Sequence, residues 1–169
     1  RVAITQKVFF GVHRPTVGPL SEGVWSRLDE LEKTMPYSGD KKRAAEILDG
    51  AGWKRGPDGI RTKNGRSLSL LMSLTDSGYS TPAVKMAKAV QPMWREIGID
   101  VQVQLMPRPQ WFEFVRSYKH HLCESAGTNY DPDELRLRFT TPLIGSINYA
   151  NCSDSTLDAL LQRGAREPL

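Results

Sequence analysis

The sequence holds only two cysteines, Cys123 and Cys152, and three histidines in 169 residues. Two thiols allow at most one disulfide, which excludes a small disulfide-stapled scaffold; the length is enough to bury a core without staples. Their spacing leaves two readings open, one disulfide in an oxidising compartment or two buried thiols. No apolar run approaches the length of a membrane-crossing helix, and no basic, apolar, small-residue signal stands at the start. Low-complexity tracts are missing too, which argues against disorder. Neither charge sign dominates: 23 Lys and Arg stand against 19 Asp and Glu, a net +4. The basic residues fall in short clusters such as Lys41-Lys42-Arg43 and Arg136-x-Arg138, the pattern of a solvated surface, and no nucleic-acid partner is expected.

Catalytic signatures are equally scarce. There is no Gly-x-Ser-x-Gly elbow, no Gly-rich loop ending in Gly-Lys-Ser/Thr, and no His-Glu-x-x-His. The histidines have no nearby partner of the kind a triad needs, and Asp131 and Asp133 sit within one turn of each other, not on opposed sides of a substrate. No enzyme and no cofactor are expected. His120-His121-x-Cys123-Glu124 would put His121 and Cys123 on one strand face, but third and fourth ligands are missing, so no metal site is expected. Asn151-Cys152-Ser153 is formally a glycosylation sequon and is given no weight.

What is present reads as one α/β domain over residues 1–169. Val2 to Phe10 has the apolar spacing of a helix stopped by Gly11, already running at Arg1, so the chain is expected to be a piece of something longer. Pro15, Gly18, Pro19 and Gly23 mark residues 11–23 as an extended loop. A short helix is expected at Trp25 to Leu31. Asp40 then stands as N-cap to a helix whose residues Ala44, Ile47, Leu48 and Ala51 share a face, ended by Gly50 and Gly52. Asn64-Gly65 predicts a tight hairpin turn, with a strand leaving it over Leu68 to Leu74. Pro82 to Ile97 has helical spacing, with Pro92 expected to remove a hydrogen bond and bend it.

Ile99 to Met106 alternates, predicting a strand that buries Ile99, Val101, Val103 and Leu105. A short helix over Trp111 to Tyr118, a strand over His121 to Ser125, a helix opening at Asp131-Pro132-Asp133-Glu134, and a last helix over Asp154 to Arg166 with Leu157, Leu160 and Leu161 inside complete the pattern. Strand, helix, strand, helix, strand from Leu68 to Ser125 implies a largely parallel sheet with right-handed crossovers. Ligands of such sheets bind beyond the strands' carboxyl ends, here the loops at 75–81, 106–110 and 125–131.

The run Pro36-Tyr37-Ser38-Gly39-Asp40 through Ala51-Gly52-Trp53 resembles a signature of the family-5 solute-binding proteins of bacterial ABC importers. The resemblance continues through Gly56-Pro57-Asp58-Gly59 to Leu68, Glu96-Ile97-Gly98-Ile99-Asp100-Val101, Tyr130-Asp131-Pro132, Asn148-Tyr149-x-Asn151 and Leu157-Asp158-Ala159-Leu160-Leu161. It implies a periplasmic-binding-protein-like (type II) fold, a mixed sheet flanked by helices. The chain would form part of the smaller, C-terminal lobe of a protein that closes two lobes on its solute. A peptide-like solute or metal chelate, delivery to a membrane permease, and an extracytoplasmic or periplasmic location, secreted or lipid-anchored in the full-length protein, are implied with it. The alternative from the residues alone is a stand-alone interaction domain using the sheet edge or the 11–23 loop.

Candidate ligand contacts follow. Ser125, Thr128, Asn129, Tyr130 and Asp131 leave a strand at the binding edge, where small residues admit a ligand and Asn and Tyr can hydrogen-bond it; Asp131 and Glu134 equally fit a helix cap. Trp111 matches a position that is aromatic and ligand-facing in some relatives, and equally fits a core aromatic. Asn148 and Tyr149 fall where relatives carry Asn and an aromatic, and local turn bonding accounts for them as well. In peptide-binding relatives an aspartate near Thr128 holds the peptide's amino group; that carboxylate is absent here, and nickel-complex binders carry a similar Tyr-Asp-Pro.

Overall fold

A computed structural model describes residues 2–16, 18–20, 22–24, 29–34, 39–76, 81–124 and 131–167. Read from sequence as one domain, the chain gathers into two compact units, 1–15 with 36–111 and 120–124, and 16–35 with 112–119 and 125–169.

The first unit opens with α1 (Val2–Phe9), ended by the left-handed Phe10 and Gly11. Asp40 caps α3 (Lys41–Gly50), accepting from the Arg43 amide at 3.0 Å. Gly52, at φ +85°, lets the chain turn out of that helix at little steric cost. A three-stranded antiparallel sheet follows, β1 (Lys54–Arg55), β2 (Arg61–Lys63) and β3 (Arg66–Ser67). Asn64 and Gly65, at φ +53° and +74°, form the two-residue turn, both left-handed as a type I′ hairpin requires. The pairing of β1 with β2 carries no sequence signal, since both its residues are charged and exposed.

The second sheet of this unit is parallel. β4 (Ser69–Thr75) lies between β5 (Asp100–Met106) and β6 (Leu122–Cys123), with Ser69 opposite Asp100 and Ser73 opposite both Gln104 and Cys123. Both pairings are parallel, as the alternation of strand and helix implies. The expected mixture of parallel and antiparallel pairing is present, divided between two sheets. Between β4 and β5 runs α4 (Thr81–Arg95), which continues through the exposed Pro92; Leu74, Ala83 and Ala87 are buried at its contact with the sheet, packed by Met72, Val84 and Val103. α1 packs against α4. The alternation in β5 holds for Val101 and Val103 and then slips: Leu105 is 48% exposed while Met106 is buried. Pro107 and the first turn of α5 (Arg108–Arg116) follow directly, so the strand's last residue turns inward where the chain leaves the sheet.

Arg61 ties this unit together. It is 3% exposed, donating to both Asp49 carboxylate oxygens, at 2.6 and 3.4 Å, and to the carbonyls of Trp53 and Ile97, each at 2.7 Å. The guanidinium holds the Asp49 carboxyl below the usual carboxylate range, chiefly by their hydrogen bond. Gly98 lies against the Arg61 stem, and its carbonyl accepts from the Arg61 amide at 2.8 Å.

The second unit contains α2 (Asp29–Thr34), residues 112–119, α6 (Glu134–Phe139), a 3-10 turn (Thr141–Leu143) and α7 (Ser155–Gly164). The helix expected at Trp25 to Leu31 overlaps α2 only in its last residues, because 25–28 lie outside the described residues. Asp154 caps α7, accepting from the Thr156 and Leu157 amides at 2.8 and 2.9 Å. Of the leucines placed on the inner face of α7, Leu157 and Leu161 are partly buried, but Leu160 is 50% exposed. α6 and α7 pack together, and the Thr141 amide donates to Asp158 at 2.9 Å.

Candidate functional site

Parallel strands leave the sheet on one edge, and that edge in the first unit is built from Asp76, Pro107 and Glu124. The Asp76 amide donates to the Met106 carbonyl at 3.0 Å and the Glu124 amide to Ser73 at 3.3 Å, so pairing persists to the rim. The loop residues 77–80 and 125–130, and with them the expected contacts Ser125, Thr128, Asn129 and Tyr130, lie outside the described residues.

The remaining expected contacts divide between the units. Trp111 sits in α5, its amide bonded to the Pro107 carbonyl at 2.9 Å, and is only 5% exposed, which suits a core aromatic. Asp131 is exposed and accepts from the Asp133 amide at 2.9 Å, while its carbonyl accepts from Glu134 at 3.2 Å. It thus shapes the entry to α6, which begins at Glu134, two residues later than the cap pattern implies. Glu134 pairs with Arg138, and Asp133 pairs with Arg136 through two bonds of 2.6 Å. The carboxyl of Asp133 is lowered, chiefly by that hydrogen bond.

Asn148 is fully buried, and local bonding accounts for it. Its amide donates to the Thr140 and Cys152 carbonyls, both at 2.9 Å, and its oxygen accepts from the Cys152 amide at 3.1 Å. Both donor hydrogens are used, as the local turn bonding that its position also allows requires. The Tyr118 hydroxyl donates to the Asn148 carbonyl at 3.0 Å and accepts from the Gly145 amide at 2.5 Å. Tyr149, beside it, is 9% exposed.

Neither Cys123 nor Cys152 is in a disulfide, and the two fall in different units. His121 is occupied by the sheet: its Nδ1 accepts from the Leu71 amide at 2.9 Å and its own amide donates to Leu71 at 3.0 Å. Among the described residues no group of three His, Cys, Asp or Glu side chains could hold a metal ion, and no helix is long and apolar enough to cross a membrane.

Against this geometry, the sequence model of the bacterial extracellular solute-binding proteins, family 5 middle region, matches residues 1–142. The chain belongs to that family. Solved structures of similar fold include the oligopeptide-binding protein AppA from Bacillus subtilis in complex with a nonapeptide, at 20% identity and TM-score 0.80, covering 99% of this chain and 33% of that one. NikZ from Campylobacter jejuni in complex with Ni(L-His) matches at 23% identity and TM-score 0.80, over 99% of this chain and 34% of that one. Protein XP55 of Streptomyces lividans is 36% identical over 73 residues, 43% of this chain and 12% of XP55. The family-5 chain therefore spans about a third of the length of these two solved relatives. The fold is α/β and periplasmic-binding-protein-like.

Sequence reasoning weighed Glu124 only as a metal ligand and passed over it as a rim residue. The register Ser73 opposite Cys123 carries Glu124 to the level of Leu74, on the face that α4 covers. One carboxylate oxygen is sealed from solvent and has no hydrogen-bond partner among the described residues, and burial pushes the carboxyl above its ordinary range. Because the folded pKa is raised, the protein is most stable with Glu124 protonated and loses stability as pH rises from the ordinary carboxylate range through the folded value. Glu124→Gln is therefore expected to melt higher than the parent chain at neutral pH, with the gap closing in acid. Equal melting temperatures across that range would show that the carboxylate is solvated.

Proposed function

We propose that this chain is part of the solute-binding component of an ABC-type importer, an extracytoplasmic protein that captures a peptide-like solute or metal chelate and delivers it to the membrane permease. The family match over residues 1–142 carries this reading. The chain corresponds to part of the C-terminal lobe, and the solute meets the carboxyl-end rim of the parallel sheet; Trp111, Ser125, Thr128, Asn129, Tyr130, Asp131 and Tyr149 are its candidate contacts. Binding involves no covalent chemistry: closure is driven by contacts the solute makes only in the closed state.

Two measurements test it. Thermal unfolding of the full-length protein against peptides, metal chelates and sugars should reveal at least one stabilising solute, since a ligand at 100 times its Kd adds about 2.7 kcal/mol. The 169-residue chain alone offers one wall of a cleft that must enclose its ligand, so the same solute should bind it in the millimolar range (~1 mM) or more weakly. A full-length protein that no solute stabilises, or an isolated chain that binds as tightly as the whole, would overturn this assignment.

A further inference from the structure

We infer that the antiparallel hairpin carries a second binding site, independent of the solute rim, for a small anion borne on a flat ring. The inference starts from register. Lys63 and Arg66 face each other across the turn. Extending the β1–β2 register, Lys54 opposite Thr62, by one residue puts Trp53 opposite Lys63. Trp53, Lys63 and Arg66 thus form one row across the three strands. Like charges directly opposite in a sheet repel and destabilise the pair.

The neighbouring carboxylates do not relieve that repulsion. Asp49 is held by Arg61, and Asp58 accepts from the Ile60 amide at 3.0 Å. Lys63 is tethered, donating to the Ala51 carbonyl at 2.8 Å, which holds its charge in place beside the glycine that ends α3. Arg66 is exposed and has no acceptor among the described residues. Around this row is a hollow of about 440 Å³ lined by Trp53, Lys63, Asn64 and Arg66.

These groups divide the recognition between them. The half-buried Trp53 supplies an apolar face for a ring. Arg66 presents a planar fork suited to a carboxylate or phosphate, Lys63 adds a fixed positive charge, and the Asn64 amide can donate beside them. A bound anion cancels the repulsion between the two cations, so charge and ring both contribute.

The test is nuclear magnetic resonance titration of the ¹⁵N-labelled chain with benzoate, acetate and benzyl alcohol, read on the Trp53 indole N–H and the backbone amides of residues 64–66. Benzoate should give saturable shifts at roughly millimolar concentration, acetate should need about tenfold more, and benzyl alcohol should give none. Arg66→Gln should weaken benzoate about fivefold while leaving amides outside the hairpin unshifted. Benzyl alcohol matching benzoate would reduce the site to an apolar dent, and acetate matching benzoate would remove the ring from recognition. Either result, or no saturable shift with benzoate, overturns the inference. None of these outcomes bears on the solute rim, so the import reading stands or falls separately.

Discussion

Arg61→Met is expected to destabilise the protein by about 1–3 kcal/mol, the cost of leaving backbone acceptors without their donor, while the half-exposed Asp49 carboxylate returns to water. Methionine keeps much of the stem's volume, so the loss is one of bonds more than of packing. Carbonyls of Trp53 and Ile97 lose a charged donor, and the bidentate grip on Asp49, which joins α3 to the hairpin, disappears. Urea denaturation should show a lower midpoint, and a loss under about 1 kcal/mol would mean that water replaces the guanidinium. Gly98→Ala attacks the same junction sterically: its Cβ would stand 2.6 Å from the Arg61 Cγ, at φ +88° where a side chain is strained in any case. The Arg61–Asp49 contact also sets a pH dependence. The folded Asp49 pKa is depressed, so its stabilisation is present above the ordinary carboxylate range and fades as pH falls through the lowered value.

Asn148→Ala should cost about 2–4 kcal/mol, because the side chain satisfies three backbone groups at once and is fully buried. Alanine leaves the Thr140 and Cys152 carbonyls and the Cys152 amide without their partner. Asn148→Asp is the sharper variant: it retains the acceptor for the Cys152 amide but points a carboxylate at two carbonyl oxygens. It should therefore be no more stable than Asn148→Ala, and the Cys152 amide should exchange with solvent much faster in the alanine variant. An aspartate variant as stable as the parent chain would show that the two donated bonds contribute nothing.

How much of this was legible in the residues depends on the range of the interaction. Asp40 and Asp154 announce their helices because a cap is a contact within three residues, and Asn64-Gly65 announces its turn because the left-handed conformation is a property of those two residues. The β4–α4–β5 unit was readable from period alone. The strand β1 was not, since two charged residues have no period and their pairing is set by β2. Leu105 and Leu160 fit their apolar patterns and are nonetheless about half exposed, because pattern predicts a face but not whether another element covers it. At the site, Asp131 fits the pattern of a helix cap but accepts from the Asp133 amide, before α6 begins, and the braced, saturated state of Asn148 depended on carbonyls at Thr140 and Cys152 that only the folded loop brings to it.

The sequence by itself determined the order of the main strands and helices, which follows from local conformational preference and apolar period, and, through its motifs, the resemblance to the family. Only the tertiary structure decided that Arg61 is buried and saturated, that one Glu124 oxygen is sealed without a partner among the described residues, and that Lys63 and Arg66 share a hollow with Trp53. Burial and pairing energies depend on what lies across from a residue, and what lies across is chosen by strand register and packing, over separations that no local pattern encodes.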